Sequence, residues 1–220
     1  MIVIDDHEVL SSALVSVLTG QGFSARRIPL ADDLQDVAGY AGRPGTAGGV
    51  ALLDLDLGPV AGRQRWGTQL VTPLEAAGWR TLVMSASGNV EEIAFAVEAG
   101  ARGVVDKTVP LEELVSAVKA VATTGLAMTQ DIRRHWLDRA RRARRLRGRR
   151  EELLAGLTDR ERQVLDRLAA GSRAASIADE FSTSLATVRS QIRSILRKLE
   201  VTSQLEAVAF VRAAERDEQR

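Results

Sequence analysis

The chain has 220 residues, 45% of them apolar and 4% aromatic, with no cysteine. Those figures suit a globular chain of one large or two small domains, and they exclude disulfides and thiolate metal sites. No apolar run approaches the ~18 residues of a membrane span, and Met1-Ile2-Val3-Ile4 is too short for a signal-peptide core, with Asp5-Asp6 following in place of a cationic flank.

The formal net charge of +1 conceals three blocks. Residues 1–125 hold 9 Lys/Arg against 15 Asp/Glu, residues 126–150 hold 10 Arg against 2 Asp, and residues 151–220 hold 11 against 12. An acidic domain, a basic connector and a third unit follow from that division. Only Lys107, Lys119 and Lys198 are lysine, the other 27 basic residues being arginine. That excess of arginine singles out each surviving lysine.

Met1 to Asp5 reads as a short strand, His7 to Leu18 as a helix ended by Gly20 or Gly22, and Ser24 to Leu30 as a weak strand. A helix is expected over 31–40 and a Gly-rich loop over 41–49, which is no P-loop because no Gly-Lys-Ser/Thr follows. Val50 to Gly62 is the central stretch. An apolar run ends in Asp54, Asp56 follows, and Gly58-Pro59 breaks the pattern. Such a run suits a strand buried on both faces of a parallel sheet. A helix near 68–77, a strand over 81–85, a helix over 90–99, a strand over 103–106 and a helix over 110–123 complete five alternations. That pattern argues a doubly wound α/β domain. Residues 126–150 form a linker with helical potential, broken by Gly148; eight of its last twelve residues are arginine. It is a solvated connector or an auxiliary phosphate-contacting arm. Beyond it the pattern is all-helical: 161–170 opened by the capping-box pair Thr158 and Glu161, then 174–181, 185–199 and 203–214.

Asp5, Asp6, Asp54, Ser85 and Lys107 all fall at strand C-termini, which converge on one edge of a parallel sheet. Phosphoryl transfer needs a nucleophile, a cation for the phosphoryl oxygens, and further cationic or hydrogen-bonding groups. Carboxylates suit Mg²⁺, a hydroxyl can meet the phosphoryl group, and lysine supplies a compact charge. Singly, each residue is as well explained as a turn, a cap or a surface charge. In this order they point to a phosphoryl site with Asp54 as acceptor.

The segments VIDDHE (3–8), LLDLDLGPVAG (52–62), VMSAS (83–87) and GVVDK (103–107) resemble the receiver domain of two-component response regulators. The resemblance implies a flavodoxin-like five-stranded fold and a sensor histidine kinase donating to Asp54. It implies Mg²⁺ held by Asp6, Asp54 and the backbone carbonyl of Asp56, with Asp5 assisting, and Ser85 and Lys107 meeting the phosphoryl group. Val104 departs from the family, which usually has Tyr or Phe there, and Asp56 and Ser87 stand where the family tunes phosphate lifetime.

In 185–199 the apolar residues Leu185, Val188, Ile192, Ile195, Leu196 and Leu199 mark one face, while Arg189, Arg193 and Arg197 line another. Behind a short helix and a polar turn, this looks like the groove-reading helix of a helix-turn-helix. The stretch 154–214 is similar to the LuxR-type helix-turn-helix of the NarL/FixJ subfamily. That implies base or backbone contacts from Arg189, Ser190 and Arg193, phosphate contacts near Ser184, Thr187 and Lys198, and dimerisation through the fourth helix. Arg173-Ala174-Ala175 and Gln191 depart from the usual pattern.

The sequence therefore reads as a receiver domain (1–125), an Arg-rich linker (126–150) and a four-helix DNA-binding domain (151–220). A cytoplasmic, non-enzymatic transcription regulator is expected, acting on double-stranded DNA as a homodimer. Two rivals remain: a regulator that does not need phosphate, and a phosphatase resembling the haloacid-dehalogenase type through its Asp54-Leu-Asp56.

Overall fold

The computed structural model of the chain describes residues 1–30, 34, 37, 39, 48–86 and 89–218. Most of the helix expected over 31–40, most of the loop over 41–49, and Ser87 lie outside them. The chain divides into two compact units, Met1–Arg142 and Ala143–Arg220.

In the first unit, β1 (Ile2–Ile4), β2 (Arg26–Arg27), β3 (Gly49–Asp54), β6 (Trp79–Ser85) and β7 (Gly103–Asp106) form one parallel sheet in the order β2-β1-β3-β6-β7. Successive strand residues face opposite ways. Val3, Leu52, Leu82, Met84 and Val105 pack on Leu14 and Leu18 of α1 (Glu8–Gly20) and on Leu114, Val118 and Val121 of α4 (Leu111–Thr124). Ile2, Ile4, Ala51, Leu53 and Val83 pack on Leu70, Val71 and Leu74 of α2 (Thr68–Ala76) and on Ala96 of α3 (Val90–Ala99). With both faces covered, each strand reads as an unbroken apolar run. The same alternation carries Asp5, two residues past Val3, and Asp54, two past Leu52, to the side of α1 and α4.

The break expected at Gly58-Pro59 is not there. Asp56–Val60 (β4) and Arg63–Trp66 (β5) pair antiparallel as a separate two-stranded sheet. Ala61 and Gly62 join them at φ of 50° and 77°, the double positive φ of a tight hairpin turn whose twist matches its strands. Pro59 is tolerated because a two-stranded sheet has only edge strands.

The break expected at Gly148 is also absent. Helix α5 runs through it from Gln130 to Ala155. Glycine in a helix costs about 1 kcal/mol relative to alanine, and here arginines, good helix formers, flank it. The Arg147–Glu151 pair at 3.0 Å, one turn apart, spans the position.

The second unit adds α6 (Asp159–Ala169), α7 (Ala174–Glu180), α8 (Leu185–Lys198) and α9 (Gln204–Glu218). Val164, Leu165 and Leu168 of α6, Ile177 of α7, Val188, Ile192 and Ile195 of α8, and Ala207 and Val211 of α9 close one core with Leu154. The capping box is present: Thr158 Oγ1 accepts from the Glu161 N–H at 3.3 Å, and Glu161 Oε2 accepts from the Thr158 N–H at 2.8 Å.

Gly67 precedes α2 with an ordinary φ of −58°. Its glycine identity follows from space, not conformation. A Cβ there would overlap the Asp54 carbonyl oxygen, and the Gly67 N–H donates to the Leu55 carbonyl at 2.9 Å. Gly67→Ala is expected to lower unfolding free energy by about 3 kcal/mol or more, measured by urea denaturation of the full chain.

Candidate functional site

Strands β1 and β3 pair Ile4 with Leu53, so the next residue of each, Asp5 and Asp54, ends up side by side. Both are buried, at 1% and 0% exposure. Lys107 follows β7, and its backbone N–H donates to the Ser85 carbonyl at 2.9 Å. Its ammonium donates to Asp5 Oδ2 at 3.0 Å and to Asp54 Oδ2 at 2.5 Å. Asp6 sits at the rim, where His7 Nδ1 lies 2.8 Å from Asp6 Oδ1 and 3.3 Å from Asp5 Oδ1. Ligand atoms of Asp5, Asp6, His7 and Asp54 all lie within 4.8 Å of one another.

The other expected residues are placed around this cluster. Ser85 follows Met84, the strand partner of Asp54. It is buried, and its hydroxyl donates to the Ala86 carbonyl at 3.1 Å. The Asp56 N–H donates to Asp54 Oδ1 at 3.1 Å. The Asp56 carboxylate is exposed and accepts from the Gly58 N–H at 3.2 Å and from Gln64 Nε2 at 2.5 Å. Gly58 has a φ of 67°, and a Cβ there would come within 2.9 Å of Asp6 Oδ2. The hairpin thus abuts the rim of the carboxylate cluster. Val104 is half-buried against the apolar face toward α2 and α3.

Burial pushes the Asp54 carboxyl up to about 6, against the opposing hydrogen bond and charge of Lys107; the Asp5 charge adds to the rise. Burial lowers the Lys107 ammonium, but hydrogen bonds and charge from Asp54 and Asp5 outweigh it and leave the amine above its ordinary value. Three carboxylates against one ammonium form a donor set that fits a hard divalent cation with oxygen preference. His7 and Gln64 were not anticipated as part of this neighbourhood. The triplet Asp5-Asp6-His7 carried a signal for the first. Nothing local marked the second, because it depends on the hairpin.

In the second unit, Ser184 caps α8: its Oγ accepts from the Thr187 N–H at 3.0 Å, and the two hydroxyls lie 2.8 Å apart. Arg189, Ser190 and Arg193 are exposed on the side away from the buried Val188, Ile192 and Ile195. Among the described residues neither Arg189 nor Arg193 has a hydrogen bond or ion pair.

Lys198 differs from them. Its amine donates to Glu161 Oε2 at 2.6 Å, from the last turn of α8 to the first turn of α6. Charges of those signs suit those helix ends. Burial raises the Glu161 carboxyl, but hydrogen bonds from Lys198, Thr158 and Ser194 outweigh it and hold the group at about 2. Among the described residues no helix is long and apolar enough to cross a membrane.

Residues 1–119 match the family described as the response regulator receiver domain, and residues 155–211 match bacterial regulatory proteins of the luxR family. The transcriptional regulatory protein UhpA of Salmonella typhimurium is 33% identical over 210 residues, covering 92% of each chain. The DNA-binding transcriptional activator DevR/DosR of Mycobacterium tuberculosis is 29% identical, covering 94% of this chain and 91% of its own. Among solved structures, full-length FixJ from B. japonicum is 22% identical, covers 97% of this chain and 96% of that chain, and superposes with a TM-score of 0.44.

Folded Asp54 holds its proton up to about 6, whereas the ordinary value is 3.8. The folded state therefore binds more protons between those values. The stability this group contributes is full below about pH 4 and is lost as pH rises to about 6, a change of about 3 kcal/mol. In metal-free buffer Asp54→Asn is expected to be more stable than wild type at pH 7.5. The gain should shrink toward pH 4.5, as read by chemical denaturation at each pH.

Glu161 has the opposite sign: its stabilisation is present above about pH 4.5 and lost as pH falls toward about 2. Lys198→Met is expected to cost about 1–3 kcal/mol at pH 7, and the difference from wild type should narrow on acidification below about pH 4.5. Thermal melts from pH 7 to pH 3 check this.

Proposed function

Because the chain belongs to the response regulator receiver family and carries a luxR-family domain, we propose that Asp54 accepts a phosphoryl group from a sensor histidine kinase, and that its charge state governs DNA binding by α8. The observation that carries this reading is Lys107, which bridges two buried carboxylates at the C-terminal edge of the sheet.

In the proposed transfer a carboxylate oxygen of Asp54 forms a bond to phosphorus as the phosphohistidine P–N bond breaks, and the bonding pair leaves with the imidazole. A Mg²⁺ held by Asp5, Asp6, Asp54 and the backbone carbonyl of Asp56 would neutralise the phosphoryl oxygens. Lys107 keeps its contact with Asp5 and meets one phosphoryl oxygen. The Ser85 hydroxyl leaves the Ala86 carbonyl for another. Ser85 and Lys107 are already joined through the backbone, so their movement shifts the ends of β6 and β7 together. Phosphorylation would then favour a receiver surface that dimerises or releases the DNA-binding unit.

In that unit Arg189, Ser190 and Arg193 are assigned to the groove, and Ser184 and Thr187 to phosphates. Lys198 already donates to Glu161, so a phosphate near it would share or replace that contact. Domains over 1–125, 126–150 and 151–220, a homodimer through α9, action as a regulator and not an enzyme, and a cytoplasmic place of work belong to the same reading.

Val104 favours a second reading, regulation without phosphate, because the site offers no aromatic ring to turn inward. One experiment separates the two. Phosphate incorporation from acetyl phosphate with Mg²⁺ is followed by intact mass, alongside affinity for a duplex enriched from a random pool. A single phosphate on wild type, none on Asp54→Ala, and donor-strengthened binding only in wild type are expected. Arg189→Ala with Arg193→Ala should lose binding in every state. Donor dependence that survives Asp54→Ala would sink the first reading; equal binding by both proteins, with or without donor, would establish the second.

A further inference from the structure

We propose that a cavity between α5, α6 and α9 binds a small phosphate monoester. The cavity uses no residue of the carboxylate edge or of α8, and the proposal rests on neither reading given above.

The cavity lies wholly within the second unit and measures about 190 Å³. Its wall on α5 is one helix face: Arg147, Arg150, Glu151 and Leu154 follow one another at spacings of three, one and three. At Leu154 that face enters the core, among Val164 and Leu165 of α6 and Val211 of α9. One turn and two turns earlier it carries arginine, where a packed face would carry leucine. Helix α6 adds Arg162, and α9 adds Ala214. Leu154 is buried and Arg162 is exposed. The innermost wall is therefore apolar, and cations stand nearer the solvent.

Three guanidinium groups line the cavity against one carboxylate, a net of +2. Glu151 orients Arg147 without using it up. It accepts from Arg147 Nε at 3.0 Å, and the two terminal nitrogens of Arg147 have no hydrogen bond among the described residues. Arg150 is held toward α9 by the Phe210 ring, whose centre lies 5.9 Å from its guanidinium carbon. The Arg162 side chain has no hydrogen bond or ion pair among the described residues. Arginine presents five N–H donors in a rigid fork, which meets phosphate oxygens two at a time. Like charges around one cavity repel. The same unit neutralises other arginines with carboxylates, as in Arg149–Glu200 and Arg167–Glu180, yet it places none on Arg162.

Charge and size select the ligand. A phosphate monoester carries about −1.5 to −2 near pH 7, which matches the net charge of the lining; a single carboxylate would leave half of it unanswered. The apolar wall of Leu154, Ala155 and Ala214 suits a carbon body. That body is short, because the cavity is smaller than the roughly 300 Å³ at which pockets begin to hold drug-sized ligands. A phosphate in a DNA backbone offers similar oxygens, but with one charge and within a broad polyanionic surface that brings no short carbon chain to Leu154.

The test is calorimetric titration of the full-length chain, without Mg²⁺ and at constant ionic strength. Glycerol 3-phosphate, inorganic phosphate and a short DNA duplex are the titrants. Wild type is compared with Arg162→Gln, with Ala214→Leu, which fills the cavity and leaves its charges in place, and with Arg189→Ala/Arg193→Ala. Arg162→Gln removes no internal contact and should melt as wild type does, so it keeps the test open if Ala214→Leu lowers the melting temperature. Glycerol 3-phosphate should bind at one site and more tightly than inorganic phosphate. Arg162→Gln and Ala214→Leu should each weaken it by about tenfold or more, the worth of a charge-assisted hydrogen bond, and Arg189→Ala/Arg193→Ala should leave it unchanged. The absence of saturable heat overturns the proposal. So does wild-type affinity in Arg162→Gln or in a normally melting Ala214→Leu, equal weakening in Arg189→Ala/Arg193→Ala, or inorganic phosphate binding as tightly as the ester. If the duplex displaces glycerol 3-phosphate and Arg162→Gln weakens both alike, the phosphate is that of DNA and the small-ester site is overturned.

Discussion

Two carboxylates, Asp5 and Asp54, are buried against a single ammonium, that of Lys107. Burying an unpaired charge is costly, and a partly compensated pair of like charges remains costly. The fold meets this cost with an extensive apolar sheet, whose two covered faces each contribute fully buried Val, Leu and Ile side chains worth about 1.5–3 kcal/mol apiece. Stability held there allows an electrostatically unfavourable edge to persist, with the Asp54 carboxyl at about 6. Such an edge gains from any group that brings positive charge or spreads the negative charge outward. Gly67 fits the same constraint. By yielding space to the Asp54 carbonyl, it lets the chain turn from the acceptor into α2 without moving the acceptor's backbone.

The second unit uses a related device for another purpose. Glu161 and Lys198 join the beginning of α6 to the end of α8. Thr158 closes the same carboxylate into a capping box. The anchor lies at the C-terminal end of α8, opposite the end where Ser184 caps the helix. Two fixed ends leave the middle turns, with Arg189 and Arg193, oriented by the core and without partners among the described residues.

Legibility in the sequence followed the range of the interactions. The parallel sheet could be read from Ile2–Ile4, Val50–Asp54 and Leu82–Ser85, because a strand covered on both faces leaves a local apolar run. The capping box was equally local. The β4–β5 hairpin was not legible. Gly58-Pro59 is a strong breaker by itself, and the Ala61-Gly62 turn lacks the Asn-Gly or Asp-Gly signal, so the strand is revealed by the pairing of Asp56 with Trp66, Pro59 with Gln64 and Val60 with Arg63. Gly148 misled in the same way, its single-residue cost being outweighed by its neighbours. Gathering Asp5, Asp54 and Lys107 into one site required the strand order. The Lys198–Glu161 pair, 37 residues apart in the chain, left no mark beyond the rarity of lysine.

That rarity has a chemical consequence. Three lysines serve 220 residues, and the structure gives them unequal protection. Lys107 is enclosed by two carboxylates, Lys198 is held by one, and Lys119 is exposed on α4, its partner among the described residues being the Gln21 side chain at 3.2 Å. Among lysine side chains, an amine-selective acylating reagent would therefore find one open site and one guarded site in each of two different units. Lys119 supplies an internal standard of reactivity, against which Lys107 reports on the carboxylate edge and Lys198 on the anchoring of α8.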